Sequence, residues 1–579
     1  MTQPLRHRLL LNLYRLLRAA SGRWVAGLIL VLMAIPACAG ETELVSPTPT
    51  AVSTIVLTLP PTPPITPSPI AATATPAPTP APRFTVGIET AVPAAFHNTA
   101  QAVTHPYPRD FAWVAGDGDV QITLDAGQPL GQWVYAVAAP FATVTDTIAA
   151  TALHAAWLTG EGAWQVVVDE ETAVLFTQLW GTPHTAVQIV PAETLLATLW
   201  EKRPFTGSAA GQQPVTLLPF ERLSPQLKVL RYADMSPLDA DFDAAAYPLT
   251  VMVGAVGEET AVAEFLRLWN GPLTNRDPAK LTTVAMTGVT ALVRATAFQM
   301  ELNGILYPGE EVAPILQMAD IAHVSNEVAF APNCPYPDPL GGTSFCSRDS
   351  YFALLESVGV DVVELTGNHV NDWGQENLQH TLDLYDAAGW AYFGGGRDTQ
   401  DAQQAALFTD HGNQIAFVGC NPVGPIYAWA TAVHAGSRPC DESFYTQIET
   451  LAAQGYVVIA TLQYDELYDY RPSAQQRLDF ERVAAAGATA VSGSQGHHAQ
   501  GFAFYGDSFI HYGLGNLFFD QMDQLGTRQT FVDTYVIYEG RLLSVNLWTG
   551  LIENYARPRI MTAGEREGAL TAVFQASDW

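Results

Sequence analysis

The stretch Asp361-Val-Val-Glu-Leu-Thr-Gly-Asn-His369, followed closely by Asp372 and Gly374, decides how the rest of this 579-residue chain is read. A short apolar run ending in Thr-Gly-Asn-His is a strand that delivers polar side chains to a turn. Three more runs repeat the plan. Leu281–Met286 leads into Thr287-Gly288-Val289, Tyr456–Leu462 into Gln463-Tyr464-Asp465-Glu466, and Ala488–Val491 into Ser492-Gly-Ser-Gln-Gly-His-His498. In open α/β sheets ligands collect beyond the carboxyl ends of the strands, so the four turns define one candidate site. Helix signals fill the gaps. Asp372 with Gln375 three residues on predicts a capped helix start, Leu378, Leu382 and Tyr385 line one face, and Gly389 stops the helix. Ser473 and Gln476 open another that ends at Gly487.

Upstream, residues 84–275 read as a separate, smaller α/β domain. Strand-like runs (Phe84–Ile88, Val120–Leu124, Trp133–Val137, Trp164–Val168, Ala186–Val190, Leu249–Val253) alternate with helical ones (Thr145–Leu158, Glu258–Trp269), which predicts a largely parallel sheet. The spacing of Trp133–Phe141, the Ala-rich helix and the helix start at Pro191 resembles one or both lobes of a periplasmic solute-binding protein; the alternative is an α/β domain that packs against its neighbour and binds nothing.

The N-terminus belongs to no fold. Arg6, Arg8, Arg15, Arg18 and Arg23 precede an uncharged apolar run, Trp24–Ala37, which is short for a bilayer span and suits an export signal. The run ends in Ile35-Pro36-Ala37-Cys38, which resembles a bacterial lipobox and makes Cys38 the candidate for lipidation; an uncleaved N-terminal anchor is the alternative. Residues 39–83 read as a stalk: Ser46–Pro82 holds 12 Pro and 9 Thr in 37 residues and no charge, a composition that favours extended polyproline II. The expected organisation is signal 1–38, stalk 39–83, and folded parts 84–275 and 281–579.

Composition narrows the partners. With 27 Lys+Arg against 57 Asp+Glu, the net charge of −30 excludes binding held by phosphate neutralisation, so no nucleic-acid partner is expected. Four cysteines remain beyond Cys38, and their close spacings favour Cys334–Cys346 and Cys420–Cys440 disulfides in an oxidising compartment. A four-cysteine zinc site lacks any C-x₂-C pair.

Taken in order, several motifs between about Thr282 and Asp520 resemble the bacterial capsule-synthesis (CapA, poly-γ-glutamate) family. They are Gly288–Arg294, Ser325-Asn326-Glu327, the Asp361–His369 stretch with Asp372 and Gly374, Gly394-Gly395-Gly396, Gly493–Gly501, and Tyr512-Gly-Leu-Gly-Asn516-Leu-Phe-Phe-Asp520. The resemblance implies a metallophosphatase-like layered α/β sandwich, exported and membrane-anchored. It implies Glu327, Asn368, His369 and His497 as candidate ligands of one divalent metal (Mn, Zn or Fe). His369 and His497 are also the candidate catalytic groups, and Arg294 and Asn516 the candidate substrate contacts.

The chain departs from the family where ligands should be. Val289 stands at the first-strand acid, Gln463 at the histidine after the third strand, Leu467 at the next acid, and Ser494 and Gln495 at the first two histidines of GHHPH. Valine cannot ligate a cation, and glutamine offers only a neutral oxygen. Asp465 and Glu466 are additional acids near the mouth. Three functions compete. The first is a surface lipoprotein for synthesis or export of an anionic polymer such as poly-γ-glutamate. The second is a metal-dependent phosphoester hydrolase, and the third a non-catalytic binder of a polymer or small-molecule ligand.

Overall fold

In the computed structural model, which describes residues 83–205, 211–577 and 579, side-chain alternation along the C-terminal strands sets the architecture. In chain order these strands are β1 (Leu281–Thr287), β2 (Val289–Thr290), β3 (Ile321–Asn326), β4 (Val362–Glu364), β5 (Ala391–Phe393), β6 (Ala406–Asp410), β7 (Asn413–Cys420) and β8 (Val457–Gln463). They continue with β9 (Ala490–Ser494), β10 (Phe502–Tyr505), β11 (Ser508–His511), β12 (Asn516–Phe518), β13 (Gln529–Tyr538), β14 (Arg541–Glu553) and β15 (Arg557–Ile560). One sheet runs β5-β4-β3-β1-β13-β14-β15, with β2 and β12 extending it at the strand ends. The second runs β6-β7-β8-β9-β11-β10.

The period of two in each strand divides the core into layers. Val284 and Met286 of β1 meet Ile415 and Phe417 of β7 between the sheets. Ala285 and Val324 face the helices outside the first sheet, α1 (Arg294–Asn303) and α2 (Gln375–Ala388). Ala416, Val418, Val458 and Ala460 face α3 (Glu442–Ala453) and α4 (Ala474–Ala485) outside the second. The result is a four-layer α/β sandwich. A last helix, α5 (Ala563–Ala576), adds Leu570, Val573 and Phe574 to the central layer.

Local signals explain the helices. Ser473 and Gln476 form the reciprocal capping box of α4, and Gly389, at φ 77°, closes α2 in the left-handed region that glycine adopts freely. The expected cap of α2 is different. Gly374 occupies the N-cap position without a side-chain bond, because the Asp372 carboxylate is engaged by His369 and by the Phe345 N–H.

The N-terminal part corrects a second expectation. Its sheet is mixed rather than largely parallel. Phe84–Ile88 pairs parallel with Phe111–Trp113 and Val120–Leu124, and Trp164–Asp169 pairs parallel with Gln188–Val190 and Gln213–Pro219. Between these groups, Thr250–Gly257 pairs antiparallel with Val120–Leu124 and Gln128–Pro140, and Gln128–Pro140 pairs antiparallel with Gln213–Pro219. Strand pairing by hydrophobic run alone carries no direction, which is why the sequence misled here. The apolar core of this part continues into Leu281, Val536, Tyr538 and Leu543. Phe141 inserts among Phe502, Phe509, Phe574 and Trp579 of the sandwich.

Cys334–Cys346 and Cys420–Cys440 are disulfide-bonded, with Cα atoms 5.8 and 5.1 Å apart. Among the described residues no helix is long and apolar enough to cross a membrane. Cys38, the signal and the Ser46–Pro82 stalk lie outside the described residues.

Candidate functional site

Three of the strand ends singled out in the sequence, those of β4, β8 and β9, meet the end of β3 at one edge of the sandwich. β3 delivers Glu327, β4 leads to Asn368 and His369, β8 ends in Gln463, and the turn after β9 carries Gln495 and His497. Close backbone approach makes this possible. A Cβ on Gly288 would lie 2.0 Å from the Gly515 carbonyl oxygen, and one on Gly493 only 1.9 Å from that of Tyr512. Three non-glycine residues of the cleft, Arg294, Gln495 and His497, adopt φ of 45°, 73° and 47°. Such left-handed conformations cost of order 1 kcal/mol or more each and persist where the surroundings enforce them.

At the centre lies an amide cluster. Gln463 Nε2 donates to Gln495 Oε1 at 2.7 Å and Asn368 Oδ1 at 3.1 Å, and stands 3.3 Å from Glu327 Oε1. An NH₂ group holds two protons, so it serves two of these three oxygens at a time, and the shorter contacts to Gln495 and Asn368 take them. Burial pushes the Glu327 carboxyl up to about 7, against the lowering effects of His369 and Gln463. With the Gln495 amide turned over, its nitrogen would lie 2.6 and 3.1 Å from the two Glu327 oxygens. In either setting N–H groups fill the space between the converging oxygens.

Around this centre the histidines are fixed by partners. His369 Nδ1 meets Asp372 Oδ2 at 2.7 Å. Desolvation opposes its charged form, but the Asp372 bond and the Glu327 charge prevail and its pKa is raised. His497 Nδ1 meets Asn516 Oδ1 at 2.7 Å, while burial pushes its pKa down. Its ring lies between Tyr468 and Phe519, at centroid distances of 5.9 and 5.3 Å. His498 turns away, toward Tyr470 and Gln524.

Arg294 completes the wall. Its guanidinium lies over Phe519 and Phe345 at 4.9 and 5.1 Å, and the Phe345 ring packs on His369 at 4.6 Å. Planes of alternating aromatic and basic character thus run Tyr468, His497, Phe519, Arg294, Phe345, His369. Arg294 is paired with Asp520, through Nε at 3.1 Å and Nη2 at 2.5 Å. Glu301 binds Arg348, and Asp320 accepts from Thr283. Beyond Arg294 and Phe345, under the Cys334–Cys346 loop, lies a cavity of about 150 Å³ that Tyr336 and Trp373 also line.

Asn516 is fully buried; its Nδ2 donates to the Thr527 carbonyl at 2.9 Å while its oxygen meets His497. It is placed to orient His497. Glu466 sits at the rim with its carboxylate 3.8 Å from His497 Nε2 and hydrogen-bonded by Tyr468, and Asp465 is exposed. Sequence reasoning passed over Asp520, Phe345, Phe519 and Tyr468, and read Asp372 as a helix cap; only the tertiary structure shows that they hold the site's basic groups.

The class defined by this fold and this edge is a metallophosphatase-like α/β sandwich with an altered strand-end cleft. Residues 283–521 match the bacterial capsule synthesis protein (PGA_cap) family. The chain is similar to the capsule biosynthesis protein CapA of Bacillus anthracis, 24% identical over 257 residues, covering 43% of this chain and 62% of that protein. It is also similar to the PGA biosynthesis protein CapA of Bacillus subtilis, 26% identical over 170 residues, covering 29% and 45%. The matches therefore span about half to three-fifths of these relatives. Among solved structures, a 5'-nucleotidase precursor from Thermus thermophilus is 13% identical with a TM-score of 0.31, over 51% of this chain and 58% of that one.

A divalent metal is what such a fold implies, and the residues present do not fit one. Val289, at the place of the first acid, is fully buried in an apolar cluster with Ala291, Val293, Val328, Phe345 and Phe519. Ser494 is turned to Ser325, at 3.0 Å across the two sheets. The group's orphan, the buried Gln463 Oε1, is a single neutral oxygen. A cation prefers several anionic or imidazole donors close together. This centre offers one carboxyl, which burial raises to about 7, and the imidazoles of His369 and His497, each held through Nδ1 by Asp372 or Asn516. These do not converge on a common point. Among the described residues, the one group of three acid or histidine ligand atoms within 4.8 Å of each other is Asp320, Asp410 and His411, at the opposite ends of the strands.

Proposed function

We propose that this is an exported, membrane-anchored protein serving the synthesis or export of an anionic capsule-type polymer, which it grips in the strand-end cleft without hydrolysing it. Kinship with capsule-synthesis proteins supports the polymer. The two disulfides support an oxidising location. The observation that carries the non-hydrolytic reading is the amide cluster at the place where a hydrolase of this fold would activate water. Because the whole chain carries −30, a polyanion is repelled at long range and must be held by local groups. His369, whose pKa is raised, and Arg294 in its aromatic wall supply them.

The test is sedimentation of the full chain with poly-γ-glutamate against a neutral dextran, beside a broad phosphoesterase screen. Binding to the polyanion alone, weakened several-fold by His369→Ala, with no turnover, is expected. Phosphoester turnover abolished by His369→Ala would establish the hydrolase instead. Equal binding to dextran would remove the polyanion.

A further inference from the structure

The oxygens of Glu327 and Asn368 come from one sheet and that of Gln495 from the other, and all three meet at Gln463 Nε2. Where side chains of two sheets converge oxygen-first, something positive must lie between them or the edge springs open. We propose that the Gln463 amide does the structural work of a cation here. Its two N–H groups tie the ends of β4, β8 and β9 together, with the Glu327 oxygen from the end of β3 beside them at 3.3 Å, and the cleft is closed to divalent ions.

Three features support this beyond the distances. Gln463 is fully buried and anchored as the last residue of β8, so its amide is positioned by the ladder rather than by a flexible loop. The neighbouring cross-sheet stitch, Ser325 to Ser494 at 3.0 Å, is likewise a neutral hydrogen bond. The apolar packing of Val289 removes the remaining direction from which an ion could be ligated. Buried amides that exchange hydrogen bonds hold geometry without a desolvated charge, which suits a site that binds and does no hydrolysis. The inference takes the cleft as the working site, as above, but is read by metal content and stability, which polymer binding does not affect.

The experiment uses the full chain, incubated with Mn²⁺ or Zn²⁺, gel-filtered, and assayed for bound metal and for Tm with and without EDTA. The wild type is expected to keep no ion that depends on Glu327, and its Tm to be unmoved by EDTA. Gln463→Ala should lower Tm by about 2 °C or more in either buffer, and speed amide exchange at residues 366–369 and 494–498. Gln463→Glu, which sets a second carboxyl beside Glu327, should gain a Mn²⁺-dependent rise in Tm. If that variant does not fold, the wild-type and alanine arms decide. About one ion per wild-type chain, lost in Glu327→Gln but kept in His411→Ala, would overturn the proposal. So would an alanine variant with unchanged Tm and exchange.

Discussion

The two ends of the sandwich present opposite solutions to polar groups at a sheet edge. At the carboxyl ends of the strands, Glu327, Gln463 and Gln495 are buried, Asn368 is half-buried, and the four are bound to one another through the Gln463 amide. At the amino ends, Asp320, Asp410 and His411 also stand close, but Asp320 and His411 are exposed and Asp410 is only half-buried. Asp320 is already engaged by the Thr283 N–H and hydroxyl at 2.7 and 2.8 Å. One edge has the shape of an ion site without its charge, and the other has the charge without its shape. A cluster of ligand-type residues therefore says less about function than the enclosure around it.

The comparison is broken most forcefully through the backbone. At the carboxyl edge, Gly493→Ala would place a methyl group 1.9 Å from the Tyr512 oxygen, so β9 and β11 must part. A loss of about 3 kcal/mol or more is expected, read as a fall in urea midpoint. At the amino edge, Gly455, between α3 and β8, has open space around it and pays only for its φ of 88°; Gly455→Ala should cost about 1 kcal/mol. Equal losses at the two sites would show that the carboxyl edge is no more tightly built.

Charge gives the next largest effect. Glu327 is raised from 4.5 to about 7, burial being the first cause. The folded chain therefore holds a proton between those values that the unfolded chain has released. Its contribution to stability is complete below about pH 4.5 and is lost as pH rises through 7. Glu327→Gln, permanently neutral, should match the wild type at pH 4.5 and exceed it at pH 8 by about 2 kcal/mol. Urea unfolding at both pH values checks this, and a variant less stable at pH 8 would mean that the carboxylate is wanted in its charged form.

Much of this was legible in the chain. The runs ending at Met286, Leu365, Leu462 and Val491 marked the strands because apolar stretches bounded by glycine turns leave few alternatives. The candidates Glu327, Asn368, His369 and His497 came from the family resemblance, and the structure brings them to one edge. What was not legible is pairing. Asp372 is three residues before Gln375, a spacing that reads as a cap, yet its carboxylate binds the His369 ring and the Phe345 N–H. Arg294 and Asp520 are 226 residues apart, and nothing local joins them. Gln463 read as a lost ligand; that its amide meets Gln495 depends on two strands of one sheet ending in register. The mixed direction of the N-terminal sheet was hidden likewise, since a hydrophobic run has no polarity.

The smallest effect is expected at the exposed edge, where it sharpens the contrast. His411 Nδ1 lies 2.6 Å from Asp410 Oδ2, but both groups are substantially exposed, at 40% and 31% of their side-chain surface. Water screens such a pair, and holding two side chains together costs rotamer entropy. Asp410 keeps its bond from the Thr282 hydroxyl at 2.8 Å when the imidazole is removed. His411→Ala should therefore change unfolding free energy by no more than about 0.5 kcal/mol. The same variant should leave Tm indifferent to Zn²⁺, as in the wild type. A Zn²⁺-dependent rise in wild-type Tm that His411→Ala abolishes would reverse the comparison. The ion would then belong to the open edge, and enclosure would not be what separates a site from a cluster in this fold.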